Sequence, residues 1–373
     1  MFIFLRWKNK ITPTHVIDLA GLGCVLGYGL LAFYSHQYQG EPSLTLFFTL
    51  MGWVSLLTFG VYAYLHPKNE ELLIGRLIFW ALLFRGCGLL GMPLFEDDFY
   101  RYLWDAYRFA ETGTPYGIAP AHFFTDSTVP PLFQRILDQI NYPDIPTIYG
   151  PTTQYAFLMG YFLKAGDVLS LQFIFVLFDL LLIRLLLAIA PARLVLLYAW
   201  CPLVIKEIAF TAHPDGLGIG LLITAIILQQ RNHLRGAAVF LALSVGAKVF
   251  ALLLVPFILA RAGLRHWLIF ATTLLLLYLP FWLQGGTDMI GLSVFAREWE
   301  FNSGLFGLLT VWLSSLTAKV VLGLAFLSFL TWYYLHYRHS EKIPRGDWIY
   351  GLFLIIAPTI NAWYLLWMLP FAG

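Results

Sequence analysis

The chain alternates long apolar runs with short polar turns. Apolar segments cover 16–34, 44–65, 72–94, 152–164, 168–190, 194–212, 216–230, 236–260, 267–284, 304–337 and 347–371. A helix that crosses a bilayer needs about 20 such residues. Several segments are therefore ordinary spans, 152–164 is short enough to be re-entrant or interfacial, and the longest can bend. Two carry a mark for a turn: Gly246-Ala247-Lys248 in the segment 236–260, and Pro358-Thr359-Ile360-Asn361-Ala362 in 347–371. There is no internal repeat and no soluble domain. The pattern predicts an all-α, polytopic membrane protein of about 11–13 transmembrane or re-entrant helices.

One long polar interruption, 95–150, breaks this rhythm, and loops of that length inside a compact protein are usually functional. It opens with Glu96-Asp97-Asp98-Phe99-Tyr100-Arg101-Tyr102-Leu103-Trp104-Asp105. A helix over 97–110 puts Phe99, Leu103, Ala106, Tyr107 and Ala110 on one face, and Asp97, Arg101, Asp105 and Arg108 on the other. That predicts an amphipathic helix at the membrane surface. Its charged face is either a solubilising ladder of ion pairs or, at Asp97 and Asp98, a catalytic site. The interruption closes with Tyr142-Pro143-Asp144-Ile145-Pro146-Thr147-Ile148-Tyr149-Gly150-Pro151, an extended, proline-stiffened lid that returns to the membrane.

Composition agrees with a membrane protein. Hydrophobic residues make up 60% of the chain and charged ones 12%, against about a quarter charged in soluble domains. The mean hydropathy is +0.74. The three cysteines, Cys24, Cys87 and Cys201, all lie in apolar runs and predict neither a disulfide nor a metal cluster. A net charge of +2 gives no case for nucleic acid. Basic clusters at Arg6–Lys10, Lys68 with Arg76, Arg231–Arg235, Arg261–His266 and Arg338–Arg345 set the orientation by the positive-inside rule. With these in the cytoplasm, the loop 95–150, His213–Asp215, Lys248, Arg297–Asn302 and Asn361–Tyr364 all fall on the external side. Val16 onward reads as an uncleaved first span, with the N-terminus cytoplasmic.

Charged groups embedded near a bilayer are expensive and default to function. Lys248 interrupts an uncharged run. As a lone ammonium it can bind a phosphate oxygen, or it can snorkel to the headgroups. Asp215, in His213-Pro214-Asp215, is suited to cap the helix beginning at Gly216. Arg297-Glu298-Trp299-Glu300-Phe301-Asn302 mixes charged forks with aromatic rings, as sugar sites do; an interfacial belt with a local ion pair explains it equally. Asn361-Ala362-Trp363-Tyr364 sits in a broken helix that would expose backbone to a cavity. No HExxH, GxSxG or Walker pattern occurs, so zinc-hydrolase, serine-hydrolase and ATPase chemistry find no support.

The acidic stretch, followed by Gly113-Thr114-Pro115-Tyr116 and by Tyr149-Gly150-Pro151-Thr152-Thr153-Gln154, resembles the polytopic GT-C glycosyltransferases. Within that class it is most similar to the mannosyltransferase-like members that use polyprenyl-phosphate sugars. The resemblance runs from Met92 through His213-Pro214-Asp215 and Lys248 to Pro358…Pro370. It departs where the acidic loop follows the third span rather than the first, where Ala106 replaces a glycine, and where Gly150 replaces a common proline. Residues 1–71 then read as a basic segment and an added hairpin, and 72–373 as the catalytic module with its external loop 95–150.

The resemblance implies an inverting hexosyl transfer, mannose favoured, on the external (periplasmic) face of a bacterial plasma membrane. The donor would be a lipid-linked sugar and the acceptor a glycan, lipid or protein hydroxyl. Asp97, with Asp98, would be catalytic. Substrate contacts would come from Tyr100, Arg101, Asp105, Tyr149, Gln154, His213, Asp215, Lys248, Arg297, Glu298, Asn302, Asn361, Trp363 and Tyr364. No cofactor is required. A divalent ion shared by Asp97 and Asp98 stays open, although adjacent helical residues point about 100° apart. Two other classes also have many spans. A transporter or flippase would show inverted repeats and midplane charge pairs, and the chain has no repeat. A polysaccharide ligase or polymerase would lean on Arg and His in the external loop, where this chain has paired acids.

Overall fold

The structure, a computed structural model, describes residues 12–37, 43–65 and 70–372. The basic cluster Arg6–Lys10 and Lys68 lie outside the described residues. In chain order the principal helices are α1 (Pro13–Gln37), α2 (Leu44–Tyr64), α3 (Glu70–Leu89), α4 (Asp98–Thr112), α5 (Pro131–Leu137), α6 (Pro151–Leu163) and α7 (Val168–Leu186). They continue as α8 (Ala192–Ala199), α9 (Asp215–Gln230), α10 (Leu234–Ala247), α11 (Leu264–Trp282), α12 (Met289–Glu298), α13 (Ser315–Tyr337) and α14 (Gly346–Ile356). Among the described residues the only β pairing is an isolated parallel bridge between Phe301 and Thr359. The all-α expectation holds.

Five of these helices, α1, α2, α7, α11 and α13, are long and apolar enough to cross a bilayer. The protein is an integral membrane protein. The helix breaks at both marked positions. Helix α10 stops at Ala247, Lys248 is extended (φ −155°, ψ 133°), and a tight 3-10 turn follows over Val249–Leu254. Helix α14 stops at Ile356, Ala357 is extended, and a second 3-10 turn runs over Ala362–Trp367. Helix α6 has 13 residues, with Pro151 at its first position where a missing N–H costs nothing.

The chain forms two compact units: Met1–Glu96 with Phe175–His213, and Asp97–Ile174 with Pro214–Gly373. In the first, α1 packs on α2 and α3 through small residues. A β-carbon at Gly21 would come within 2.3 Å of the Trp80 ring, the close approach that holds helices together where lipid offers no hydrophobic driving force. The same unit contains a fully buried ion pair. Arg85 Nε lies 2.6 Å from Asp179 Oδ2, and both side chains are 1% exposed. Tyr198 donates to the other carboxylate oxygen at 2.7 Å, and Arg85 Nη1 donates to the Ala199 carbonyl at 2.8 Å. Each charge is thereby paired where water is absent. A π-helical turn, Ile205–Phe210, carries a second buried pair, Lys206 with Glu207, at 3.1 Å.

In the second unit, α10 packs against α9, α11 and α6, and α4 against α5 and α6. The last residue of the lid, Gly150, meets the end of α10. A β-carbon there would lie 2.2 Å from the Gly246 carbonyl oxygen, so glycine is required for the lid to enter α6 at this point. Thr153 then donates to the Ala247 carbonyl at 2.9 Å. The lid and Lys248 are thus anchored to one helix end.

Candidate active site

The acidic helix forms as expected, beginning at Asp98 and ending at Thr112, with Gly113 in the left-handed conformation (φ 76°) donating back to Phe109. Asp97 stands just outside it, at φ −133° and ψ 1°, and its side chain does not cap the helix. Instead its carboxylate Oδ2 accepts a 2.5 Å hydrogen bond from Asn141 Nδ2. Asp98 lies in the first turn, where the helix dipole favours negative charge, and accepts from the Tyr149 hydroxyl at 3.3 Å.

The charged face is not a ladder of ion pairs at the water. Phe99, Leu103, Ala106 and Tyr107 are buried as expected, but so is Asp105, at 2% exposure. The lid and α6 cover that face. Gln154 Nε2 donates to Asp105 Oδ2 at 2.9 Å and contacts Thr147 Oγ1 at 3.2 Å. Burial raises the Asp105 carboxyl from its ordinary 3.8 to about 6, against the opposing pull of Arg101, Thr147 and Gln154. Arg101 makes its hydrogen bonds to the lid backbone: to the carbonyls of Ile145 at 2.9 Å, Tyr142 at 3.0 Å and Asn141 at 3.4 Å. It holds in place the loop whose Asn141 reaches Asp97.

Tyr149 joins this group to the next. Its hydroxyl lies 3.2 Å from that of Tyr102, and its carbonyl accepts from Tyr116 at 2.9 Å. Burial, then the charge of Asp98, with smaller effects of Tyr364 and Asp215, holds the phenol well above its ordinary value. Tyr149 therefore stays a hydroxyl donor to Asp98.

Asp215 is not the helix cap. It is the first residue of α9, Pro214 precedes it, and no side-chain cap forms. Its fully buried carboxylate Oδ1 accepts from Lys248 Nζ at 2.6 Å and from Trp367 Nε1 at 2.6 Å. Lys248 is accordingly neither a lone ammonium nor a snorkelling one. Its side chain is 18% exposed and its Nζ lies 4.9 Å and 5.3 Å from the ring centres of Tyr364 and Phe250, a cation–π setting. The Asn361 amide donates to the Tyr364 hydroxyl at 3.4 Å, and Trp363 packs edge-on against Tyr364 at 5.8 Å.

The loop 297–302 docks on the break after α14. Phe301 exchanges backbone hydrogen bonds with Pro358 and Ile360, and Thr359 donates to the Trp299 carbonyl. Arg297, Glu298 and Asn302 are exposed, and Lys319 is drawn to the Arg297 carbonyl at 2.6 Å. The Trp299 ring meets Tyr142 of the lid at 4.6 Å. Tyr142 (φ 51°) and Asn302 (φ 51°) both adopt the left-handed conformation without being glycine, and such residues concentrate at functional sites. His213 belongs to the first unit. It is buried, its Nε2 lies 3.5 Å from Glu207 and 3.7 Å from Glu96, and its N–H donates to the Glu207 carbonyl.

Residues 30–263 match the MptA_B family, alpha-(1->6)-mannopyranosyltransferase, N-terminal domain. This is well over half of the chain and takes in the acidic helix, the lid, Asp215 and Lys248. The chain belongs to this mannosyltransferase family. Comparison with curated proteins and with solved structures gives no match. The second unit holds two carboxylates at a helix start, a phenol hydrogen-bonded to one of them, and a lysine braced by a buried carboxylate. Asn141, Thr147 and Trp367 complete that set and have no mark in the sequence pattern. Asn141 and Trp367 act through hydrogen bonds to residues 44 and 152 positions away along the chain, and Trp367, a buried indole in a broken helix, carries a polar tip that had to find a partner. Arg297, Glu298 and Asn302 lie beyond the matched residues, as do Asn361, Trp363 and Tyr364.

Proposed function

We propose that this membrane mannosyltransferase takes mannose from a polyprenyl-phosphate mannose and passes it to a hydroxyl of a glycan acceptor on the external face of a bacterial plasma membrane. Asp97 takes the proton of the acceptor hydroxyl as that oxygen bonds to the anomeric carbon. The bond from that carbon to the phosphate oxygen breaks, its electron pair leaves with the lipid phosphate, and the configuration inverts. Lys248 supplies positive charge to the leaving phosphate, with two ammonium protons left after its bond to Asp215. Tyr149 keeps Asp98 hydrogen-bonded beside the base. Asp97 and Asp98 are turned to different partners, Asn141 and Tyr149.

The observation that carries this reading is the Tyr149 hydrogen bond to Asp98, beside Asp97 at the start of α4, in the same compact unit as the buried Lys248–Asp215 pair. A base and a phosphate cation within one compact unit are what glycosyl transfer from a lipid phosphate needs. The external placement rests on the basic clusters Arg231–Arg235, Arg261–His266 and Arg338–Arg345. In this reading residues 1–71 are an addition to a catalytic module over 72–373. The test is turnover of a donor panel by purified protein in lipid nanodiscs. Polyprenyl-phosphate mannose should release lipid phosphate only when an acceptor is present, and a sugar nucleotide should not replace it. Use of a sugar nucleotide alone would refute the donor assignment.

A further inference from the structure

A cavity of about 390 Å³ opens beside the start of α4, lined by Tyr100, Leu132, Arg135, Ile136, Asp138 and Gln139. Its volume falls among small-molecule sites, which run about 300–1,000 Å³. The apolar part of the lining comes from Ile136, 5% exposed, and Leu132. The remainder is a phenol ring, a guanidinium, a carboxylate and a primary amide. That mixture matches a neutral sugar. A ring covers a C–H face, the guanidinium donates, the carboxylate accepts, and the amide does both. An anionic ligand would be opposed by Asp138, and a lipid tail would gain nothing from three polar side chains. Asp138 is steadied by the Gln134 amide at 3.4 Å. Among the described residues, Arg135 and Gln139 make no side-chain hydrogen bond within the protein.

Tyr100, which lines the cavity, lies in the first turn of the helix that Asp97 precedes. The chain that lines the cavity, 132–139, runs on within two residues to Asn141, the donor to the Asp97 carboxylate. One short segment, 132–141, therefore both lines the cavity and supplies the hydrogen bond to the Asp97 carboxylate.

We infer that this cavity is the acceptor subsite, holding a terminal hexose of a neutral oligosaccharide through Arg135, Asp138 and Gln139, with one hydroxyl turned to Asp97. The inference rests on the mannosyl-transfer reading above. The test uses Arg135→Ala, Gln139→Ala and a cavity-filling Gln139→Trp, with polyprenyl-phosphate mannose as donor and an alpha-(1->6)-linked mannose disaccharide as acceptor. Each alanine variant should raise the acceptor KM about tenfold or more, as loss of a charged or amide hydrogen bond does, and leave the donor KM unchanged. Gln139→Trp should lose acceptor use while donor binding persists. All three substitutions are at exposed lining positions, and equal thermal midpoints would show that the fold is kept. An unchanged acceptor KM, or an equal rise for donor and acceptor, would overturn the subsite. If the wild type transfers no mannose from this donor, the donor reading has failed separately. The cavity is then judged by calorimetric binding of the disaccharide, which the wild type should show and Gln139→Trp should lack; equal binding or none in both would overturn it.

Discussion

Replacing Lys248 by Met removes the cation paired with a carboxylate that is itself 0% exposed. Asp215 Oδ1 would keep only the Trp367 indole, and Oδ2 has no hydrogen-bond partner among the described residues. Stranding one member of a buried pair costs about 3–5 kcal/mol. Asp215→Asn is milder, about 1–3 kcal/mol, because Lys248 is 18% exposed and can recover water. The double variant Lys248→Met with Asp215→Asn leaves no stranded charge at this pair and should be more stable than Lys248→Met alone. Contacting residues typically show interaction energies of about 0.5–3 kcal/mol, and this pair belongs at the upper end. The assay is the thermal midpoint of all four proteins, purified in one detergent at one concentration. A Lys248→Met protein that unfolds with the wild type would refute the pairing. So would a double variant whose loss equals the sum of the single losses. Transfer activity separates the two roles: the double variant should regain stability without regaining lipid-phosphate release.

Asp105→Asn tests the buried carboxyl. Held at about 6 rather than 3.8, Asp105 keeps its proton longer in the folded than in the unfolded protein. Its contribution is therefore favourable below pH 4 and lost as pH rises through about 6. The neutral variant should be more stable than the wild type at pH 7 by about 3 kcal/mol, with the difference closing below pH 4; a pH-independent difference would contradict the burial argument. Gly150→Ala puts a methyl against the Gly246 carbonyl and should displace the lid. It should lower the thermal midpoint and slow transfer together, at the scale of overpacking, about 1–3 kcal/mol. For orientation, a cysteine at the exposed Thr125 should react with an impermeant thiol reagent from outside, and one at the exposed Asn232 should not.

The elements that the apolar pattern predicts are those whose signals are local. The long spans, the stop at Ala247, the break after Ile356 and the helix behind the paired acids all depend on runs of neighbouring residues. The site's internal wiring was hidden because each bond spans a large separation. Asp105 and Arg101 look like rungs of one wet face at helical spacing, yet Gln154 and the lid carbonyls, more than 40 residues on, cover that face. Asp215 has the residue type of a helix cap, but Lys248 and Trp367, 33 and 152 residues away, take its carboxylate. The buried pair Arg85 and Asp179 sits inside two apolar runs 94 residues apart. Periodicity says which face is apolar, not which second surface will close over the polar one.

The central claim is that Asp97 is the base of mannosyl transfer, and single-turnover kinetics on Asp97→Asn test it most directly. The asparagine keeps the size of the side chain and an oxygen for Asn141, so the protein should insert, fold and bind polyprenyl-phosphate mannose as the wild type does. Removing a general base typically costs on the order of 10² to 10⁴ in rate. Transfer to the acceptor should fall by that factor, with the donor affinity unchanged. A transfer rate close to the wild type's would contradict it.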